Sequence, residues 1–259
     1  MAKLTKAEAK KHHEAEQLLE KDVWSHDDRV FFTTHWQESA NHVNTTHGAF
    51  FTPLDYAMDV ALDVGPGKVV DLCAGIGTLS YAALLRNGAE NVDITCVELN
   101  PAYVEIGRKM LPEARWICGD VFEVLPELGE RFEYAVSNPP FGRIKADWTG
   151  RYTGPDFEYK VIDLASQYAE QGTFVLPQMS AGFAYSGVRY YERRDDDNKY
   201  AKFAEQTGIH LDIGAGMDTS CEYYDRWHGV APVTEVAIAF FDELEPAAEQ
   251  EKVLESALF

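Results

Sequence analysis

The alternation of apolar and polar positions divides the chain into regular elements from Gly67 onward. Short β-branched runs predict seven strands, which read KVVDL, NVDITCVEL, ARWICGD, FEYAVSN, GTFVLPQ, GIHLDIG and VTEVAIAFF. Segments between them, such as TLSYAALLRNG and PAYVEIGRKML, carry apolar residues at helical spacing. The pattern predicts an α/β fold with a seven-stranded, mostly parallel sheet and helices on both faces. No amphipathic helix separates the last two strands, which predicts a final antiparallel strand.

Outside this region the chain is more polar. Residues from about 5 to 22 predict a helix, and the histidine-rich stretch after it is interpreted as irregular. We therefore divide the chain into an N-terminal extension (1–47), a catalytic domain (48–243) and an acidic tail (244–259). The N-terminus has no apolar core of the signal-peptide kind, and no apolar run approaches a bilayer span. These features favour a cytoplasmic protein without membrane contact.

The net charge and the cysteine and histidine content indicate which partners and metals the protein can bind. The net charge of −20 argues against strong attraction to nucleic acid, although residues 143–202 carry nine basic and nine acidic residues. A partner subunit that supplies target recognition would compensate for this charge. The four cysteines form no CxxC pair and predict reduced thiols. The histidine spacings match no zinc pattern, so no metal is expected.

The segment VVDLCAGIGTLS ends the first strand with a glycine-rich loop. Gly75 and Gly77 let the backbone approach a ligand before a helix begins near Thr78. The D-x-x-x-G-x-G spacing, with the acidic Glu98 ending the second strand, favours S-adenosylmethionine over a dinucleotide. Glu98 is expected to accept the ribose hydroxyls; the alternative is a favourable charge at a helix N-terminus.

Two aspartates complete this candidate cofactor site. Asp120 ends the third strand in CGDVF and is expected to accept a hydrogen bond from the adenine amino group, with Val121 or Phe122 against the ring. A plain helix N-cap is the alternative for Asp120, and the two roles are compatible. Asp71 is expected to bind the methionine amino group, directly or through water; a structural carboxylate is its alternative.

The fourth strand ends in SNPPFG. An exocyclic amine conjugated to a ring is a poor nucleophile, because its lone pair is delocalised. The Asn138 side-chain oxygen and the Pro139 carbonyl can each accept one of its N–H bonds and free the lone pair for attack. Phe141 can stack on the target base, and Pro139 and Pro140 make the turn rigid. The alternative is an ordinary turn.

From these motifs the chain resembles the class I S-adenosylmethionine-dependent methyltransferases, which have a Rossmann-like fold, and more narrowly those that act on adenine N6. The resemblance covers about residues 48 to 242 and includes an aromatic-Thr-Pro signature within GAFFTPLDYAMDVAL. It implies contact between Phe51, Thr52 and Pro53 and the methionine end of the cofactor. Cys73 replaces the first glycine of the family's loop. The complete expected cofactor set is Phe51, Thr52, Pro53, Asp71, Cys73, Ala74, Gly75, Gly77, Glu98, Leu99, Asp120, Val121 and Asn138.

Two segments downstream of the NPPF motif are candidates for substrate contact. RIKADWTGRYTGPDFEYK interleaves basic and aromatic residues, as strand-binding surfaces do; a surface loop is the alternative. QMSAGFAYSGVRYYERR contributes aromatic residues that form either a base pocket or part of the core. The expected substrate-binding residues are Arg143, Lys145, Trp148, Arg151, Phe183 and Tyr185.

The leading function is methylation of adenine N6 in DNA. Adenine methylation in RNA is the close alternative, because the stretch from NPPFG to VIDLA also resembles ribosomal-RNA adenine-N6 methyltransferases. Methylation of a protein glutamine is more distant, since its amide is also a planar NH2 group. A non-enzymatic cofactor-binding subunit would be expected to carry a broken cofactor loop or NPPF motif, and both are intact here.

Overall fold

Two capped helices open the computed structural model, which describes residues 5–37, 50–195, 198–223, 226–227 and 232–241. Helix α1 (Lys6–Leu18) confirms the predicted N-terminal helix, although it ends before residue 22. Helix α2 (His26–His35) lies in the stretch interpreted as irregular, so that interpretation was wrong. Its signal was a capping box, in which the side chains of Ser25 and Asp28 each accept the other's backbone N–H. Residues 244–259 lie outside the described residues.

The remaining elements alternate as the pattern predicts. The strands are β1 (Gly67–Leu72), β2 (Val92–Glu98), β3 (Arg115–Cys118), β4 (Phe132–Ser137), β5 (Ala169–Pro177), β6 (Phe183–Ala184), β7 (Glu192–Arg193), β8 (Asp212–Ile213) and β9 (Thr234–Phe240). The helices are α3 (Leu54–Val60), α4 (Thr78–Asn87), α5 (Pro101–Met110), α6 (Val121–Leu128), α7 (Phe157–Ala165), α8 (Asn198–Thr207) and α9 (Thr219–Glu222).

Seven of these strands form one sheet in the order β3-β2-β1-β4-β5-β9-β8. Strands β1 to β5 are parallel, and β9 runs antiparallel to both β5 and β8. The predicted α/β fold and its antiparallel last strand are therefore confirmed. The order reverses between β1 and β4, and in such sheets ligands bind beyond the carboxyl ends of the strands at that point. Strands β6 and β7 form a separate antiparallel ribbon that the pattern did not predict.

Apolar side chains pack on both faces of the sheet. Val69 and Val136 belong to one core cluster, which includes residues of α3, α4 and α5. Their neighbours Val70 and Ala135 belong to the other, which includes residues of α6, α7 and α8. This alternation along β1 and β4 explains why these strands read as continuous apolar runs. In the described part of the chain, no helix combines the length and apolar character needed to cross a membrane.

Candidate active site

A cavity of about 440 Å³ opens at the carboxyl ends of β1 to β4, where the strand order reverses. Residues at or just after the ends of these strands form its wall, together with the segment before α3 and the first turns of α4, α5 and α7. The lining residues are Phe50, Phe51, Thr52, Asp71, Cys73, Ala74, Gly75, Thr78, Leu79, Glu98, Leu99, Asn100, Tyr103, Gly119, Asp120, Val121, Asn138, Pro140, Ile144, Lys145 and Phe157.

The loop between β1 and α4 forms the floor of this cavity. Gly77 is the N-cap of α4, so the helix begins at Thr78 as the sequence predicts. Gly75 has φ +57°, and a Cβ there would lie 2.8 Å from the Phe51 ring. This contact explains the glycine, because the aromatic ring lies directly on the loop backbone. Cys73 also has a positive φ of 60°, the conformation that the family's glycine would adopt without strain.

Glu98 connects the loop to the end of β2. Its Oε2 accepts the Gly75 N–H at 2.8 Å, and its Oε1 accepts the Asn100 N–H at 2.8 Å. Burial raises the pKa of Glu98, and the backbone N–H groups oppose that rise. A carboxylate offers about four acceptor positions, so each oxygen can accept a further hydrogen bond. The geometry is therefore compatible with two ribose hydroxyls as additional donors.

Asp71 carries a buried acceptor with no hydrogen-bond partner. Its Oδ2 accepts the Ser80 hydroxyl at 2.7 Å, but its Oδ1 has no partner among the described residues. Burial raises the pKa of Asp71 to about 7, against the hydrogen bonds from Ser80. An unpaired buried acceptor is costly, and Asp71 lines the cavity. The methionine ammonium of S-adenosylmethionine is a donor of the type that this oxygen lacks.

We expect cofactor affinity to rise with pH because of Asp71. S-adenosylhomocysteine retains the ammonium group, and this group binds the ionised carboxylate better than the neutral acid. Below the raised pKa of about 7, affinity should increase by up to about tenfold per pH unit and then level off. Calorimetry between pH 5.5 and 8 tests this, and Asp71→Asn should remove the dependence. A dependence that persists in Asp71→Asn would assign it to another group.

Asp120 and Leu99 lie on the adenine side of the predicted site. The Asp120 Oδ1 accepts the Phe122 N–H at 2.9 Å, so the residue is the N-cap of α6. Because a carboxylate has a second oxygen, this cap does not prevent contact with an adenine amino group. Leu99 is 65% exposed although it is apolar, and it lines the cavity. A flat aromatic ligand would cover such a side chain.

The segment before α3 fixes the orientation of the Asn138 side chain. Its Nδ2 donates to the Phe50 carbonyl oxygen at 2.8 Å and to the Thr52 Oγ1 at 3.0 Å. A carbonyl can only accept, so the amide nitrogen rather than the oxygen must face Phe50. Both N–H groups are used in this way, and the side-chain oxygen keeps its lone pairs for a donor in the cavity. The FFTP and NPPF motifs, 86 residues apart at this contact, therefore form one unit.

The other residues of the NPPF motif and of the loop after it lie at different depths. Pro140 and Lys145 line the cavity, whereas Pro139 is buried and does not. Phe141 is half-buried and does not line the cavity. Arg143 and Lys145 are exposed, and neither forms an ion pair with another described residue. Of the expected cofactor set, Pro53 and Gly77 stand outside the lining.

Other residues assigned to the substrate have structural partners instead. Arg151 donates through Nε to Asp163 at 2.9 Å, and Asp163 has no exposed side-chain surface. Phe183 is fully buried in the core, so the core alternative left open by the sequence is the one observed. Tyr185 is half-buried and stands outside the cavity lining, and Trp148 packs on the Phe122 ring at 5.2 Å between ring centres. We therefore do not retain Arg151 or Phe183 in the substrate site.

Sequence reasoning also missed several lining residues. The ring of Tyr103, on α5, packs edge-on against Phe51 at 4.9 Å between ring centres. Phe157 and Ile144 line the cavity from the first turn of α7 and the loop before it. Their place in the cavity depends on tertiary packing. A tyrosine in the first turn of an amphipathic helix cannot be distinguished from a core residue by its spacing alone.

Comparison with known proteins finds a family match over part of the chain. Residues 53–151 match the family described as methyltransferase small domain. Over 77 residues the chain is 39% identical to ribosomal RNA small subunit methyltransferase C of Klebsiella pneumoniae, covering 29% of this chain and 22% of the relative. Over 94 residues it is 34% identical to release factor glutamine methyltransferase of Corynebacterium glutamicum, covering 34% of this chain and 33% of the relative. The chain thus matches at most a third of either relative.

A solved structure supports the fold over most of the chain. The type I restriction-modification methyltransferase subunit from Streptococcus thermophilus superposes with a TM-score of 0.51 at 15% identity, covering 93% of this chain and 60% of that one. The sheet order and the matched segment agree with each other, since residues 53–151 span β1 to β4 and the whole cavity floor. The match of residues 53–151 to a methyltransferase family implies S-adenosylmethionine as the cofactor. Residues 53–151 therefore match the methyltransferase small domain family, and the chain has the Rossmann-like α/β fold of S-adenosylmethionine-dependent methyltransferases.

Proposed function

We propose that this chain transfers the methyl group of S-adenosylmethionine to a planar NH2 nitrogen, with adenine N6 in nucleic acid as the leading substrate. The observation that carries the proposal is the fixed Asn138 amide, whose nitrogen donates to Phe50 and Thr52. Its oxygen can then accept an N–H of the substrate without any rearrangement of the side chain. Such preorganised acceptors act most strongly on the charge that develops in the transition state.

In this proposal, different residues of the site bind the cofactor, the target nitrogen and the substrate strand. Glu98, Asp71 and Asp120 would hold the cofactor, which supplies an electrophilic methyl group on a sulfonium. Asn138 and the Pro139 carbonyl would each accept one N–H of the target nitrogen, which directs its lone pair toward that methyl group. The new C–N bond would form as the C–S bond breaks, which leaves S-adenosylhomocysteine, and the nitrogen would lose one proton to solvent. Lys145, exposed at the cavity wall, would contact a phosphate of the strand that carries the target base. Neither Arg151 nor Phe183 has a role in this arrangement.

Within nucleic acids, the sequence favours DNA through its FFTP signature and its DLCAGIG loop. The first curated relative is named for ribosomal RNA, and the methyltransferase subunit of the type I restriction-modification system supports only the fold. We therefore propose nucleobase methylation and treat DNA and RNA as arms of the same test. A partner subunit that supplies target recognition remains part of this proposal because of the net charge of −20.

A glutamine side-chain amide is the second candidate substrate. The net charge of −20 favours it, because an acidic protein gains little from phosphate contacts. The release factor glutamine methyltransferase among the relatives supports the same chemistry on a protein. A glutamine amide presents the same planar NH2 group to Asn138, so the site alone fits both substrates.

Incubation with labelled S-adenosylmethionine tests the proposal. We expect label to enter adenine-containing RNA or DNA, and nuclease digestion followed by mass spectrometry to identify N6-methyladenine. Charge reversal of Arg143 and Lys145 should raise the KM for nucleic acid and flatten its salt dependence, while S-adenosylhomocysteine affinity stays unchanged. Label entering a glutamine peptide regardless of competing nucleic acid would establish the second candidate. Label on an oxygen or carbon atom would contradict both.

A further inference from the structure

The NPPFG turn is held at its last residue by the start of α7. The Gly142 N–H donates to the Glu158 Oε2 at 2.8 Å, and the Gly142 carbonyl accepts the Phe157 N–H at 2.8 Å. Gly142 has φ +91°, a conformation that few other residues adopt. Both backbone polar groups of this residue are therefore bound, and the direction of the chain that leaves the turn is determined by the first turn of α7.

Glu158 is itself held by two further segments. Its Oε1 accepts the Ser180 hydroxyl and the Lys199 ammonium, each at 2.8 Å. Lys199 also donates to the Ser180 Oγ at 2.8 Å and pairs with the Asp156 Oδ1 at 3.1 Å. The Glu158 side chain has no exposed surface, and Lys199 is 24% exposed. One buried carboxylate thus joins the NPPFG turn, the segment after β5 and helix α8.

We infer that Glu158 is a positioning residue, which acts by fixing the NPPFG turn so that Asn138 and the Pro139 carbonyl face the methyl donor. This inference rests on the proposed function. Pro139, Pro140 and Phe141 separate Asn138 from Gly142, and the fixed φ angles of the two prolines transmit a displacement of Gly142 to the acceptors. Neither Glu158 nor Lys199 lines the cavity, so their effect on the reaction would be indirect.

A second buried carboxylate provides a matched control. Glu235 is 1% exposed and accepts the Tyr185 and Ser186 N–H groups, each at 2.9 Å, and the Gln178 side chain at 2.7 Å. Its hydrogen bonds stabilise the loop after β5, and none of those among the described residues reaches the NPPFG turn. The variants Glu158→Gln and Glu235→Gln therefore remove the same charge from equally buried sites. Only the first should affect the turn.

The experiment compares these two variants and Lys199→Met in the full chain. For Glu158→Gln we expect kcat on the methyl-accepting nucleic acid to fall by roughly 10- to 100-fold, because misplacements near 1 Å can have effects of this size. The KM for S-adenosylmethionine and the affinity for S-adenosylhomocysteine should stay within about twofold, since Glu158 does not line the cavity and most of the cofactor set lies outside the NPPFG turn. Lys199→Met should act in the same direction with a smaller effect. Hydrogen exchange of the peptide spanning residues 138–145 should accelerate in Glu158→Gln and not in Glu235→Gln.

Each outcome decides the inference. Wild-type exchange and wild-type kcat in folded Glu158→Gln would overturn it, as would faster exchange with unchanged kcat, because the turn would then be loosened without consequence. An equal loss of kcat in Glu235→Gln would mean that Glu158 only stabilises the fold, and this result would also overturn the inference. If wild-type protein transfers label to no acceptor, the proposed function fails. The comparison of hydrogen exchange then still tests whether Glu158 fixes the NPPFG turn. Unchanged exchange in Glu158→Gln would show that it does not.

Discussion

Asn138→Ala is expected to lower turnover by roughly 100- to 1,000-fold, as for other preorganised groups that stabilise transition-state charge. The variant removes the acceptor that activates the target nitrogen. It also frees the Phe50 carbonyl and the Thr52 hydroxyl, which the amide binds at 2.8 and 3.0 Å. Because those residues line the cofactor cavity, S-adenosylhomocysteine affinity should decrease slightly, by much less than turnover. Single-turnover kinetics and calorimetry measure the two effects separately.

Thr52 supplies the control for this prediction. Thr52→Val keeps the shape of the side chain but removes the acceptor at 3.0 Å, so the Asn138 amide loses one of its two anchors. Its turnover should fall by less than that of Asn138→Ala, and Thr52→Ser should restore it by returning the hydroxyl. Wild-type turnover in Asn138→Ala would mean that NPPF is an ordinary turn. An equal loss in the serine and valine variants would assign Thr52 to packing instead.

Most of the fold and the cofactor side of the cavity could be predicted from local sequence. Strand ends are local features, and parallel strands bring their carboxyl ends to one edge of the sheet. Asp71, Glu98 and Asp120, each at or just beyond the end of its strand, therefore line one cavity as expected. The start of α4 at Thr78 followed from the glycines before it. Helix α2 was missed because its apolar residues are irregularly spaced and the capping box at its start was not considered.

The substrate side depended on contacts that spacing does not show. Arg151 has the sequence context of a strand-binding residue, but its partner Asp163 lies on α7, where charged residues read as solvent-facing. In fact α7 is buried on nearly every side, including Glu158 and Asp163. The tertiary packing of α7 determines which arginine forms an ion pair with a buried carboxylate. The same helix therefore explains both the wrong assignment of Arg151 and the absence of Glu158 from the predicted site.

Asp163→Ala is expected to lower the free energy of unfolding by about 3–5 kcal/mol, the usual effect of removing one partner from a buried ion pair. The Asp163 side chain has no exposed surface, and Arg151 is 16% exposed, so solvent screens the pair little. Its Oδ1 accepts the Arg151 Nε at 2.9 Å, and its Oδ2 accepts the Tyr152 N–H at 2.8 Å. The variant leaves the Arg151 Nε–H and the Tyr152 N–H without their acceptor, and among the described residues the guanidinium keeps only the Ser166 Oγ. Urea unfolding of the variant against wild type measures the loss.

Arg151→Met and Arg143→Ala show whether the loop's basic residues act on structure or on substrate. Arg151→Met should lose stability comparably, and the double variant with Asp163→Ala should lose less than the sum of the two single losses, because the residues are in contact. Arg143 is exposed, so Arg143→Ala should change stability by no more than about 0.5 kcal/mol and act only on the KM for nucleic acid. If Arg151→Met instead unfolds at the wild-type urea concentration and raises only that KM, the ion pair contributes nothing to the fold. Arg151 would then return to the substrate site, and the loop after NPPF would bind the strand through both of its arginines.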